Sequence, residues 1–127
     1  MIYIFIFIGG GLGAVCRYFI SLIITQQFNN IFPFGTVTVN LIGSFLIGLF
    51  YQFFQNVIVP IEIRIFIMIG FLGGFTTFSS FSIESINLLR DGEYRFFLLN
   101  VVINNIACLF LSIIGIYLGK LIMKSIR

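Results

Sequence analysis

Long apolar stretches alternate along the chain with short polar or proline-marked breaks, a pattern typical of helices that cross a membrane. Four such stretches occur, at about residues 2–24, 35–55, 62–89 and 94–123. Each is long enough, because about 20 helical residues cross a hydrocarbon core of roughly 30 Å. None shows the strict alternation that a membrane β-barrel requires. We therefore expect residues 1–127 to form a single all-α membrane domain of four transmembrane helices.

Composition agrees with this class and argues against several others. Hydrophobic residues make up 60% of the chain and charged residues 9%, whereas about a quarter of a soluble domain is charged. The basic residues are scattered or terminal, so a nucleic-acid surface is not expected. The sequence has no His, no phosphate-binding motif and no nucleophile beside a base, and an enzyme is not expected either.

Loop charges give the chain little preference for one orientation across the membrane. With four spans, the side that holds the N-terminus carries Arg64, Lys120, Lys124 and Arg127. The other side carries Arg90 and Arg95, together with Arg17 if its side chain extends that way. Because Lys and Arg in short loops set the orientation, so small a difference is compatible with insertion both ways round. An antiparallel homodimer then becomes possible; the alternative is one weakly biased topology.

The third stretch contains the run GFLGGFTTFSSFS from Gly70 to Ser82. Gly weakens helices, and Ser and Thr compete for backbone hydrogen bonds, so this run predicts a break near residues 73–78, in the middle of the membrane. A break frees carbonyl groups, which act as ion ligands in discontinuous membrane helices. The alternative interpretation is a helix-packing interface of small residues.

The second stretch carries a polar stripe around Asn40, with Thr36 one turn before it, Gly43 and Ser44 one turn after it and Gly48 two turns after it. An amide in hydrocarbon is costly unless it is hydrogen-bonded, so Asn40 must meet another part of the protein or water. Its NH₂ group can donate to an anion without bringing a fixed charge. The alternative is an ordinary hydrogen bond between helices.

The fourth stretch has polar or small residues at four-residue intervals, namely Asn100, Asn104, Cys108 and Ser112. Each step drifts by only about 40° around a helix, so these residues are expected to form one continuous track. Such a track suits an ion path, although packing is an equal alternative, because Gly115 and Gly119 follow. Cys108, like Cys16, is interpreted as a small buried residue.

Together the three patterns describe a conduit of neutral groups with very little buried charge. A pump or proton-coupled exchanger normally needs an acidic residue well inside the membrane, and Glu84 is the sole candidate. Rings of charged residues, a common means of choosing ions, are missing from the pattern.

With these motifs the sequence resembles the Fluc family of bacterial fluoride channels, also called CrcB. Three signatures carry the resemblance in order: GGGLGAVCRY from Gly9 to Tyr18, FGTVTVNLIGSFLIG from Phe34 to Gly48, and GFLGGFTTFSSFSIE from Gly70 to Glu84. The resemblance covers essentially the whole chain. It implies a fluoride-specific channel of the cell (inner) membrane that releases F⁻ passively and lowers the fluoride content of the cytoplasm.

The resemblance also implies an assembly and a set of site residues. Members of the family look like dual-topology homodimers of two antiparallel subunits, with a structural Na⁺ on the two-fold axis. Its Na⁺ ligands fall on the backbone carbonyls of Gly73 and Thr76. Its arginine of the first helix falls on Arg17, with a supporting role at the vestibule or dimer, and Glu84 is placed with it.

The fluoride pathway implied by the resemblance combines ring edges with polar groups. The paired phenylalanines fall on Phe78 and Phe81, whose positive ring edges would face the anion, and the conduction asparagine falls on Asn40. The other residues expected along the pathway are Thr38, Ser79, Ser80, Asn100, Asn104, Cys108 and Ser112. The fourth helix departs from the family pattern here, because amides and a thiol precede the Ser112 hydroxyl.

Two other functions remain open from the sequence. Small multidrug or cation exporters share four spans and dual topology, but they need a carboxylate in the first span, where this chain has none. A non-transporting subunit of a membrane assembly would also fit the hydropathy.

Overall fold

The computed structural model describes residues 1–28 and 30–126, which form helices joined by short turns. Arg127, counted above among the basic residues of one side, lies outside this part of the chain. The helices are α1 (Ile2–Phe28), α2 (Phe34–Asn56), α3 (Ile61–Ile65), α4 (Leu72–Phe75), α5 (Phe78–Arg90), α6 (Tyr94–Val102) and α7 (Cys108–Ile126). One π-helical turn, Phe66–Phe71, joins α3 to α4, and a second, Ile103–Ala107, joins α6 to α7.

Four helical stretches are long and apolar enough to cross a membrane, which confirms the all-helical, four-span prediction. They are Ile2–Phe28, Phe34–Asn56, Ile61–Arg90 and Tyr94–Ser125. The first continues past residue 24, its expected end, because Gln26 and Gln27 are good helix formers. Pro33 and Pro60 directly precede α2 and α3, where a missing N–H costs nothing.

The bundle packs through close backbone contacts at glycines. α2 lies against α7, and α1 lies against the first π-helical turn and α4. A Cβ atom added to Gly48 of α2 would collide with the carbonyl group of Ser112. Small residues of this kind let membrane helices approach each other without a side chain between them. Gly48 and Asn40 therefore share one stripe of α2, and Gly48 serves packing against α7 two turns after Asn40.

We expect Gly48→Ala to lower the free energy of unfolding by about 1–3 kcal/mol, the usual cost of overpacking. The extra methyl group must push α2 away from Ser112, because the group it meets is backbone and cannot rotate away. Thermal unfolding of the detergent-solubilised protein measures the loss. Gly11→Ala is the matched control, since no heavy atom lies within 4 Å of a Cβ added there. Equal melting temperatures for the two variants would contradict this close contact.

Two residues with extended backbone separate α4 from α5. Thr76 has φ −85° and ψ 158°, and Thr77 has φ −149° and ψ 119°. Thr77 caps α5, because its side-chain oxygen accepts a hydrogen bond from the N–H of Ser80 at 3.1 Å. Such a cap satisfies one of the donors that a helix start leaves without a partner.

The two π-helical turns were not anticipated from the sequence, which suggested uninterrupted helix over residues 94–123. The second turn contains adjacent amides whose side chains donate to carbonyls four residues back. Asn104 donates to the carbonyl of Asn100 at 3.0 Å, and Asn105 to that of Val101 at 2.7 Å. These side chains compete with the backbone N–H groups for the same acceptors, which favours a local departure from the α-helix.

Candidate functional site

A groove of about 290 Å³, which we call the polar groove for the amide and hydroxyl groups in its largely apolar wall, lies where α2, α4, α5 and the second π-helical turn meet. We use this name for the cavity lined by Asn40, Gly43, Ser44, Ile47, Met68, Leu72, Gly73, Thr76, Thr77, Phe78, Phe81, Asn104 and Cys108. The groove is open on one side in the single chain. It brings together seven of the residues singled out in the sequence: Asn40, Gly73, Thr76, Phe78, Phe81, Asn104 and Cys108.

Asn40 holds the extended segment between α4 and α5 in place. Its Oδ1 accepts a hydrogen bond from the N–H of Thr77 at 2.8 Å, and its Nδ2 donates to the carbonyl of the same residue at 3.0 Å. The side-chain amide thus pairs with both backbone groups of Thr77, much as a neighbouring strand would. Because Asn40 is buried, these bonds satisfy a polar group that would otherwise destabilise the fold.

Two carbonyl groups at this segment lack the donors that a continuous helix would supply. The N–H of Thr77, four residues after Gly73, donates to Asn40, and the N–H of Ser80, four residues after Thr76, donates to the Thr77 hydroxyl. Among the residues described, no group of three His, Cys, Asp or Glu side chains could hold a metal. The carbonyls of Gly73 and Thr76 thus lie beside the interruption without their usual helical donors.

A row of side-chain hydrogen bonds, which we call the amide ladder, leads from Asn40 into the fourth span. Asn40 Nδ2 donates to Asn104 Oδ1 at 2.7 Å, and Asn104 Nδ2 donates to Asn100 Oδ1 at 2.8 Å. Asn100 Nδ2 then donates to Ser85 Oγ at 3.0 Å, and Ser85 donates to the carbonyl of Phe81 at 2.7 Å. Every donor points the same way, so the ladder links α2, the fourth span and α5.

The paired phenylalanines lie side by side at the start of α5, with ring centroids 5.1 Å apart and planes inclined by 59°. Phe81 is 7% exposed and Phe78 is 72% exposed in the single chain. Phe81 therefore belongs to the buried part of the groove wall, and Phe78 borders the groove on its open side.

The two charged candidates lie beside the groove and do not line it. Arg17 Nη1 lies 3.5 Å from the carbonyl oxygen of Thr76, at the outer limit of a hydrogen bond. Glu84 accepts a hydrogen bond from the Thr36 hydroxyl at 2.6 Å, and its buried Oε2 has no partner among the residues that the structure describes. The hydrogen bond between Thr36 and Glu84 therefore joins α2 to α5. It lies one helical turn before Asn40.

The remaining sequence-selected residues occupy other positions. Ser79 and Ser80 surround the Thr77 hydroxyl, at 3.3 and 3.1 Å from it. Ser112 donates to the carbonyl of Ser44 at 2.8 Å and so joins α7 to α2. Thr38 is half-buried on α2, on a different side from Asn40. Asn100 is 0% exposed, so it lies behind Asn104.

Sequence reasoning missed the roles of Thr77 and Ser85. In the sequence Thr77 is one of many hydroxyl residues in the run from Gly70 to Ser82, and Ser85 lies outside the motifs. A sequence signal existed for Thr77, because Thr before a new helical turn is a favoured N-cap. No local pattern identifies Ser85, whose partner Asn100 lies 15 residues away.

Comparison with known proteins finds one family model and full-length relatives that match this chain. The family model described as CrcB-like protein, Camphor Resistance (CrcB), matches residues 4–116. A protein of Citrifermentans bemidjiense named fluoride-specific ion channel FluC is 46% identical over 118 residues, covering 92% of this chain and 95% of that protein. A protein of the same name from Shewanella halifaxensis is 45% identical over 122 residues, covering 96% of this chain and 95% of that protein. Another, from Bacteroides fragilis, is 42% identical over 120 residues, covering 92% of this chain and 94% of that protein.

These matches agree with the architecture and with the three signatures, and they confirm the resemblance stated from the sequence. With four helices of this length and apolar character, the chain is a multi-pass membrane protein. A family match over residues 4–116, together with relatives above 40% identity along nearly the full length, establishes that the chain belongs to the CrcB family.

Proposed function

We propose that this protein is a fluoride-specific channel that lets F⁻ leave the cell passively. The relatives that match over most of their length are named as fluoride-specific ion channels. The observation that carries the proposal is the lining of the polar groove, where Asn40, Phe78 and Phe81 meet. None of the described residues that line this groove carries a formal charge. A neutral lining can bind an anion weakly enough to release it again.

The groups of the groove suit fluoride because they replace water without adding a fixed charge. Fluoride is small and strongly hydrated, so a path must offer hydrogen-bond donors and positive ring edges along its length. Amides and hydroxyls supply the donors, and Phe78 and Phe81 supply the edges. The proposed activity is conduction, with no bond made or broken in the ion.

We further propose that the working unit is an antiparallel homodimer. Irregular backbone at membrane depth must be covered by protein or must line a water-filled cavity. Here the exposed side of the groove includes Gly73 and the 72% exposed ring of Phe78, and α4 ends just beside them. A second copy packed against this side would complete the wall. The near balance of loop charges allows the two copies to insert in opposite orientations.

A structural Na⁺ at the two-fold axis fits the backbone of this segment. The carbonyls of Gly73 and Thr76 have lost their helical donors to Asn40 and Thr77. Unwound carbonyls of this kind hold Na⁺ in broken membrane helices. The weak contact from Arg17 leaves a second lone pair on the Thr76 carbonyl. Two carbonyls are too few for a cation, so both copies would supply the ligands. A bound Na⁺ would offset the partial negative charge of these oxygens.

The site also suggests where the chain acts. We place the two-residue interruption at Thr76 and Thr77 near the middle of the inner membrane, since about equal helix lengths lie on either side within Ile61–Arg90.

Neutral HF crosses a bilayer unaided and dissociates in the more alkaline cytoplasm. The negative interior then drives the anion outward through the channel, so no energy source is needed.

Anion efflux from proteoliposomes tests the proposal. We expect rapid release of fluoride, followed with a fluoride electrode, and negligible release of chloride from matched vesicles. Fluoride release that requires a proton gradient, or uptake of organic cations, would instead favour a small exporter. The absence of any release from well-folded dimers would favour a non-transporting assembly subunit and would overturn the channel.

A further inference from the structure

The amide of Asn40 has no free donor in this structure. A primary amide carries two N–H groups. One donates to the carbonyl of Thr77 at 3.0 Å and the other to Asn104 Oδ1 at 2.7 Å. If Asn40 is to donate to a passing anion, one of these two acceptors must first leave.

The bond to Asn104 is the one that can be exchanged. The bonds between Asn40 and Thr77 form a closed pair in which Asn40 also accepts from the Thr77 N–H at 2.8 Å, and breaking it would release the extended segment. Asn104 instead belongs to another helix, is half-buried and lines the polar groove. A single side-chain hydrogen bond between membrane helices is weak enough to exchange readily.

Asn104 can move its carbonyl away without losing its anchor. Its Nδ2 donates both to Asn100 Oδ1 at 2.8 Å and to the Asn100 carbonyl at 3.0 Å. Asn100 is 0% exposed and is held in turn by Ser85. Loss of the contact to Asn40 would therefore leave Asn104 attached to the fourth span, ready to return.

We propose that the side-chain carbonyl of Asn104 is a resident acceptor that fluoride displaces from Asn40 and that takes the N–H back when the ion leaves. The proposal rests on the proposed fluoride conduction and adds a specific residue to it. When fluoride enters, the Asn40 N–H exchanges its hydrogen bond to Asn104 for one to the ion. The exchange reverses when the ion leaves, and no proton is transferred. Asn104 thus acts as a positioning residue that limits how tightly Asn40 holds the ion.

This exchange has a consequence for release. With no ion present, the buried Asn40 N–H remains bonded, so the empty site carries no orphaned donor. With an ion present, Asn104 competes for the same N–H and weakens the hold on fluoride. Removing the Asn104 side-chain carbonyl should therefore tighten fluoride binding, whereas removing a direct ligand of fluoride would weaken it.

The test measures initial fluoride efflux from proteoliposomes over a range of internal fluoride concentrations. We expect Asn104→Leu to lower the fluoride concentration for half-maximal flux about fivefold, the factor that matches one interhelical hydrogen bond. Asn105→Leu is the matched control, because Asn105 is exposed and donates to Val101 in the same helical turn. The control should leave the half-maximal concentration unchanged.

Further variants separate affinity from folding. Asn100→Leu removes the next bond of the amide ladder but keeps Asn104 Oδ1, so it should reduce thermal stability without tightening fluoride binding. If Asn104→Leu does not fold, the double variant Asn100→Leu/Asn104→Leu replaces both partners of their mutual bond by apolar groups, so Asn100 is not left with an unpaired acceptor. The second N–H of Asn40 stays free for the ion. It should show the same fivefold tightening.

Each outcome bears on one claim. An unchanged or raised half-maximal concentration in Asn104→Leu or the double variant, with the unmodified protein conducting fluoride, overturns the displacement and leaves the channel in place. An equal effect of Asn105→Leu also overturns it, since the change would then be general. If the unmodified protein conducts no fluoride, the proposed function fails first and the displacement fails with it.

Discussion

Asn40→Asp is expected to reduce fluoride flux on the order of a hundredfold, the scale set by losing hydrogen bonds to an ion and adding a repelling charge. Aspartate keeps an acceptor for the Thr77 N–H, so the extended segment retains one of its two bonds. It cannot donate to the Thr77 carbonyl or to Asn104, and its negative charge faces the same groove as the anion.

Fluoride efflux and gel filtration of the same preparation measure this effect together. Asn30→Asp is the control, because it places the same charge in the exposed loop between α1 and α2, where the carboxylate still accepts from the N–H of Ile31. We expect it to leave flux within about twofold of the unmodified protein, as surface changes usually do. Near-normal flux in Asn40→Asp, with an intact dimer, would remove Asn40 from the pathway.

Phe81→Ile is expected to reduce fluoride flux at least about tenfold while leaving the assembly intact. Isoleucine has a similar hydrophobic character but no aromatic edge, so the interaction of a ring quadrupole with the anion is lost. Phe81 is 7% exposed and packs beside Phe78 at 5.1 Å, which fixes its edge relative to the groove.

The matched control for this variant is Phe110→Ile on α7, where the ring is 62% exposed and lies outside the polar groove. Efflux and melting temperature are recorded for both. If Phe81→Ile loses stability but conducts at the rate of the control, the ring serves packing alone. If it conducts poorly at full stability, the ring edge belongs to the path.

Much of the fold can be predicted from the sequence, because length and hydropathy identify membrane helices. The four spans lie within a few residues of their expected bounds, and α1 alone runs clearly further, to Phe28. The two π-helical turns could not be predicted in this way. They depend on which carbonyl each side chain reaches, as with Asn104 and Asn105, and hydropathy carries no information on that choice.

Part of the candidate site can likewise be predicted from the sequence, and part of it cannot. Asn40 stands out in the sequence because an amide inside a membrane helix needs a partner, and the structure supplies that partner in Thr77. The partner itself could not be predicted, since it lies 37 residues away and is a backbone group. The occupied state of the Asn40 amide likewise depends on Asn104, which approaches it only after the spans pack. Residue type indicated the chemistry, and packing decided which donors are free.

The second π-helical turn sets how the fourth span tolerates changes in length. A π-helical turn closes i→i+5 hydrogen bonds and so holds one residue more than the α-helical turn it replaces. Deleting one residue from Ile103–Ala107 would therefore let the turn close as ordinary α-helix, with Ser112 kept at the carbonyl of Ser44 and Gly115 at the backbone of Phe45. A deletion inside α7 has no such extra residue to give up, so it would rotate one part of α7 by about 100° against the other and break its contact with α2.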